Sequence, residues 1–168
     1  MNENNENFSD NIYNLEIISD KIKVPPKYIL NSNEYILDQL RKNENKCTKF
    51  GFLQKIVKLI NKSYGTIYNG DFTGSLLYHI TYSAYVCNPQ INDIITCTIT
   101  QIIENEFMAA ENDPFFINVL FNEDDGLSSS TAHNLNYNDK IWVQILAKRI
   151  NLNENKIKIV AKYIKRCE

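Results

Sequence analysis

The stretch IITCTITQIIENEFMAAENDPFFINVLF, residues 94–121, carries the reading of the fold. It reads as three short strands, 94–103, 106–110 and 115–121, apolar runs of strand length bounded by polar residues. A polar segment follows at 122–138, in which Ser128-Ser129-Ser130-Thr131 can cap a short helical turn. Two further strands, 141–148 and 156–163, complete the set. In the last one Ile157 and Ile159 face inward and the lysines between them outward. Three strands, a break with a helical turn, then two strands is the order of an OB barrel, and about 75 residues without a long helix suit that fold. The boundary falls near residue 89, because Asn88-Pro89 must stop the strand before it.

That preceding strand, 76–86, alternates cleanly. Leu76, Tyr78, Ile80, Tyr82, Ala84 and Val86 share one face, and Leu77, His79, Thr81, Ser83 and Tyr85 the other. Upstream, 64–74 holds Gly65, Gly70 and Gly74, three of the five glycines in the chain. Asn69-Gly70 is a strong turn signal, since both residues tolerate positive φ. Residues 50–60 are β-rich. Residues 33–43 read as a helix, with candidate caps in Asn31-Ser32-Asn33 and an apolar stripe of Tyr35, Ile36, Leu37 and Leu40. Val24-Pro25-Pro26-Lys27-Tyr28 interrupts regular structure, because neither proline donates a backbone hydrogen bond. Residues 12–18 alternate as a strand with Tyr13, Leu15 and Ile17 on one face, and 1–10 form a polar tail expected to be disordered. The expected fold class is therefore α+β, mostly β, with a tail at 1–10, one domain at 11–89 and an OB domain at 90–168.

Composition narrows the function. The chain has 168 residues, 43% hydrophobic and 23% charged, with a formal net charge of −2. A uniformly basic nucleic-acid binder is excluded, and no apolar run approaches the roughly 20 residues that span a bilayer. The polar, acidic start is not a signal peptide. Cys47, Cys87, Cys97 and Cys167 are widely spaced, so a zinc site is not expected and reduced thiols are. The 24 asparagines and 23 isoleucines point to an AT-rich genome. Net charge also hides a block pattern: −5 over 1–20, +7 over 21–62, −10 over 63–139 and +6 over 140–168. No Lys or Arg occurs between Lys62 and Lys140. Two basic faces around an acidic middle account for this pattern, as does drift in a small protein.

Several motifs in fixed order resemble one family. Cys47-Thr48-Lys49-Phe50-Gly51-Phe52-Leu53, then Gly65-Thr66-Ile67-Tyr68-Asn69-Gly70-Asp71-Phe72-Thr73-Gly74, then Ile80-Thr81-Tyr82-Ser83-Ala84-Tyr85-Val86-Cys87-Asn88-Pro89-Gln90 resemble the seventh subunit of RNA polymerase II. Its archaeal counterpart and the paralogues of polymerases I and III are similar. Tyr82, Ala84, Val86, Pro89 and Asp93 match the family's linking segment, Val24-Pro25-Pro26-Lys27-Tyr28 its early proline element, and Asp139-Lys140-Ile141-Trp142-Val143-Gln144-Ile145 its fourth OB strand. The resemblance covers about residues 12–165. It departs at Asn105-Glu106-Phe107, where the family has a glycine, at the acidic segment 122–136, and at the early end, Cys167-Glu168. Divergence and composition together suggest a large nucleocytoplasmic DNA virus, with an AT-rich eukaryote as the alternative source.

The resemblance implies a truncated RNP-like tip domain followed by an S1-type OB-fold, in a non-catalytic stalk subunit of a multisubunit DNA-directed RNA polymerase. Its partners would be the core, through the clamp of the largest subunit and a small omega-like subunit, a fourth-subunit-like stalk partner where one exists, and nascent RNA weakly. No membrane contact and no cofactor are implied. The protein would sit in the virion and host cytoplasm if viral, and in the nucleus if cellular. The implied core-facing residues are Pro25, Pro26, Phe50, Gly51, Gly65, Tyr68, Gly70, Phe72 and Gly74. Tyr68 and Phe72 would be exposed anchors on a glycine-rich loop, against an ordinary hairpin with its aromatics folded back.

For RNA, the usual OB surface is strands two and three, with Phe107, Phe115 and Phe116 as stacking candidates. Adjacent Phe115 and Phe116 point opposite ways, so one of them belongs to the core. Glu104, Glu106, Glu111 and Asp113 would repel phosphate there. Lys148, Arg149, Lys156, Lys158, Lys162, Lys165 and Arg166 offer a basic face instead. Enzyme chemistry has little support. His79 and His133 are isolated, consecutive Glu123-Asp124-Asp125 cannot converge on one metal, and the sequons at Asn7 and Asn61 lack a signal peptide. A free-standing OB-fold RNA-binding protein of translation or RNA decay is the competing reading.

Overall fold

A computed structural model describes residues 12–67, 70, 72–103, 107–120 and 135–167, with Ile103, Phe107 and Met108 described by backbone alone. The tail at 1–10, Tyr68, Asn69, Glu104, Glu106, Glu123-Asp124-Asp125, His133 and the turn expected at 128–131 lie outside the described residues. The chain divides into two compact units, Tyr13–Cys87 and a second that begins at Asn88.

The first unit contains β1 (Asn14–Val24), a 3-10 turn (Pro26–Tyr28), α1 (Ser32–Arg41), β2 (Lys46–Thr48), β3 (Gly51–Lys62), β4 (Thr66–Ile67) and β5 (Leu76–Cys87). Its antiparallel sheet runs β1-β5-β3-β2, with β4 also pairing β5. Tyr78, Ile80, Tyr82, Ala84 and Val86 are all buried on the inner face of β5, as the alternation of that strand requires. Ile36 and Leu40, four residues apart and so on one helical face, cover this sheet together with Ile18, Val24, Leu53 and Ile56. Burial pushes the Tyr82 hydroxyl up to about 12, with the nearby Asp20 charge adding to the effect. Asn31 precedes the helix and its carbonyl accepts the Tyr35 N–H at 3.1 Å, but no side chain caps it. The Ser32 hydroxyl instead accepts from Lys62 Nζ at 2.7 Å.

Two strands depart from simple expectation. β1 runs on to Val24, and Leu15 and Ile17, which share a face, point away from the core; Ile18 and Val24 point into it. In β3 the register with β5 shifts after Leu53, Ile56 and Leu59. Each bulge inserts one residue, so inward positions recur every third residue, at Leu53, Ile56, Leu59 and Lys62, and the two between them face out.

The second unit is a closed barrel of β6 (Ile94–Ile103), β7 (Phe107–Asn112), β8 (Phe115–Leu120), β9 (Lys140–Arg149) and β10 (Ile157–Arg166). Its order is β6-β7-β8-β10-β9 and back to β6, with β8 and β10 parallel and every other pair antiparallel. This is an OB-like barrel. Alternate residues fill it: Ile95, Cys97 and Ile99 from β6, Phe115, Ile117 and Val119 from β8, Ile141, Val143 and Ile145 from β9, and Ile157, Ile159 and Ala161 from β10. Burial pushes the Cys97 thiol up to about 12, the nearby Cys167 contributing less.

Candidate functional site

The implied core-facing residues separate into two groups. Leu76 pairs with Val24 on β1 and with Ile67 on β4, so the segments after Val24 and before Leu76 meet at one end of β5. Pro25 opens the 3-10 turn, its carbonyl accepting the Tyr28 N–H at 3.0 Å. A Cβ on Gly74 would lie 3.3 Å from Pro26 Cγ, so Pro26 and Gly74 are in contact. Gly74 and Gly70 both have positive φ, +70° and +86°, backbone positions that favour glycine. Phe72 between them is fully exposed. Ile67 and Tyr64 flank the same end, 74% and 96% exposed. Neither was among the expected core-facing residues, since nothing in the 64–74 segment marks their side chains as exposed.

Phe50 and Gly51 are not part of this cluster. The register places Gly51 next to the Phe52–Cys87 pair, at the far end of β5. Phe50 packs against the core, with Lys49 Nζ 4.9 Å over its ring, and the same ammonium reaches Asp20 Oδ1 at 2.7 Å. Gly51 is buried with φ +127°, a backbone position that favours glycine. Gly65 is a packing glycine: a Cβ there would come within 2.7 Å of Tyr78 Cζ and 2.9 Å of Leu76 Cδ1. Tyr68 lies outside the described residues.

On the barrel, Phe115 has none of its surface exposed, so this ring is core and has no face for a base. Its neighbour Phe116 points outward, half-buried, between Glu111 and Lys158. Most of the expected basic residues have local partners. Lys148 Nζ donates to Pro89 O at 2.6 Å and Asn88 Oδ1 at 2.8 Å, tying β9 to the segment that enters the barrel. Arg149 Nε donates to Asn151 Oδ1 at 3.1 Å, Lys156 pairs with Glu111 at 2.9 Å and Arg166 with Asp139 at 2.7 Å. Lys158 pairs with Glu154 at 3.1 Å; hydrogen bonds from Asn151 and Lys158 hold the Glu154 carboxyl below its usual range. Lys162 faces outward between Leu120 and Gln144, and Lys165 stands beside Trp142. Trp142, which the sequence marks only as part of the fourth-strand motif and not as a site residue, is half-buried on the same outer face with Thr96 across from it.

His79 is an exposed strand residue whose backbone bonds to Ser63. Among the described residues no three His, Cys, Asp or Glu side chains are grouped to hold a metal, and no helix is long and apolar enough to cross a membrane.

No family model matches the chain. It is 28% identical over 159 residues, 88% of its own length and 79% of the other's, to a protein of Acanthamoeba polyphaga mimivirus named "Putative DNA-directed RNA polymerase subunit L376".

Proposed function

We propose that the chain is a subunit of a viral DNA-directed RNA polymerase and, within that class, its non-catalytic stalk subunit. The carrying observation is similarity along most of both chains to the mimivirus protein, whose name assigns it to such a polymerase. The ordered motifs and the OB-like barrel support the finer reading of an RNP-like tip followed by an S1-type OB domain. In this reading the tip docks on the largest-subunit clamp and an omega-like subunit through the end of β5 that carries Pro26, Gly74, Phe72, Ile67 and Tyr64. Large apolar side chains left in solvent together are what an interface anchor requires. The barrel lies near the RNA exit path and holds transcript weakly, because Lys148, Arg149, Lys156 and Arg166 already have partners. A fourth-subunit-like chain completes the stalk, catalysis belongs to the large subunits, and the protein resides in the virion and the host cytoplasm.

The test is affinity purification of the tagged full chain from infected cells. Large polymerase subunits in stoichiometric yield are expected. A monomer that binds RNA tightly and brings down no polymerase subunit would overturn this reading in favour of a free-standing RNA-binding protein.

A further inference from the structure

The outer face of the first unit's sheet lies away from α1, and three strands contribute to it. β1 presents Leu15 and Ile17, 58% and 70% exposed; β3 presents Val57, 48% exposed; β5 presents Tyr85, 40% exposed. The register joins them, since Leu15 pairs with Tyr85, Tyr85 with Lys55, Ile17 with Ser83 and Ser83 with Lys58. Ser83 lies at the centre, 4% exposed, and its buried hydroxyl has no hydrogen-bond partner. A buried hydroxyl without a partner is costly.

The border of the patch is basic. Lys55 and Lys58 are exposed, and their ammonium groups have no carboxylate partner among the described residues. None of the outward positions of β1, β3 and β5 is acidic. β1 is also the edge of the sheet: among the described residues it pairs only with β5, over 11 residues without a bulge or a proline. Proteins usually blunt so long and regular an edge. Lysines do occur at Lys21 and Lys23, whereas the half from Asn14 to Ser19 carries one charge, Glu16, whose side chain points to the opposite face from Leu15 and Ile17.

We propose that this face and edge bind a segment of another polypeptide, which adds a strand beside β1 and then continues across the outer face, where it lays apolar side chains over Leu15, Ile17, Tyr85 and Val57 and sets carboxylates against Lys55 and Lys58 on β3, two strands in from the edge. Aliphatic side chains dominate the patch, which suits a polypeptide better than stacked bases. Lys55 and Lys58 on the border favour an acidic partner over a second copy of this basic surface. The proposal does not rest on the polymerase reading.

The experiment uses the assembly purified from its native cells through a tag on the full chain. A carbodiimide joins an amine directly to a carboxylate in contact with it, and mass spectrometry then locates the link. The expected product joins Lys55 or Lys58 to an Asp or Glu of a different polypeptide, in a segment of alternating apolar residues. Leu15→Lys with Ile17→Lys should cut its yield at least tenfold at an unchanged melting temperature. Should that pair fail to fold, Lys58→Glu with Lys55→Glu tests the same contact and should abolish the link. Phe72→Ala with Ile67→Ala should leave the link in place, which separates this surface from core docking. Links only to a second copy of the chain, links only to RNA after ultraviolet irradiation, absence of any link at Lys55 and Lys58, or a link insensitive to the β1 variants would each overturn the proposal.

Discussion

Replacing Phe72 and Ile67 by alanine separates docking from folding. Phe72 is fully exposed and Ile67 is 74% exposed, so neither buries enough surface to support the first unit. Exposed substitutions of this kind change stability by about 0.5 kcal/mol or less. The melting temperature should then stay within about 4 °C of the parent. A docked state is different. Moving a phenylalanine ring from water into a closed interface stabilises the complex by about 1.5–3 kcal/mol, which is about 10- to 150-fold in Kd. Losing Ile67 as well should bring the deficit to about 1000-fold if both are anchors. Purified polymerase core lacking this subunit, titrated with labelled full chain, measures the affinity, and differential scanning fluorimetry measures the fold. Phe50→Ala is the control with the opposite signature, since Phe50 packs against the core and its loss should lower the melting temperature. Undiminished core binding by the double variant would refute the reasoning, and so would a loss of several degrees in its melting temperature.

Gly65→Ala should destabilise the first unit by about 1–3 kcal/mol in chemical denaturation, because the new methyl meets buried Tyr78 and Leu76. Gly70→Ala, in open space at φ +86°, should cost only the backbone strain, about 1 kcal/mol. Lys148→Met removes the two bonds to Asn88 and Pro89 and should cost the barrel about 1.5–3 kcal/mol in the same assay, with Lys148→Arg recovering part of it. The Tyr82 proton is retained up to about 12 in the fold but leaves the unfolded chain near 10.0, so between those values the folded state binds more protons. Stability should therefore fall as pH rises through that window, by about 3 kcal/mol, and Tyr82→Phe should flatten the fall in alkaline melting curves. Lys162→Glu with Lys165→Glu should weaken RNA binding in a low-salt fluorescence titration, and an unchanged isotherm would remove this face from consideration.

The barrel was legible because each of its strands buries one face, so the period of two survives in the sequence. The expected first strand, 94–103, coincides with β6, and the others agree to within three residues at each end. The candidate site was harder to read. A glycine has the same letter whether it sits at positive φ in open space, as Gly70 does, or makes room for a buried ring, as Gly65 does for Tyr78. A run of lysines likewise conceals whether each finds a carboxylate or a carbonyl after folding. Lys156 does so through Glu111, which lies 45 residues earlier in the chain, and no local pattern signals that pairing.

β3 explains both what was missed and why the outer face is apolar. Three bulges in one strand put Leu53, Ile56, Leu59 and Lys62 inward at every third position, a spacing that suits neither a regular strand nor a helix. The inserted residues go outward, so Val57 and Ile60 face solvent although each stands beside an inward aliphatic. An unbulged strand of the same sequence would alternate and bring Val57 inward in place of Ile56. The bulges thus keep the core match with Ala84 and Tyr82 while moving aliphatic side chains to the other face. β1 arrives there independently, by phase alone, with Leu15 and Ile17 outward and Ile18 inward. Two strands on opposite sides of β5 reach the same result by different backbone devices. A common requirement on that face, rather than chance placement of single residues, accounts for the coincidence, and a partner covering both strands at once supplies it.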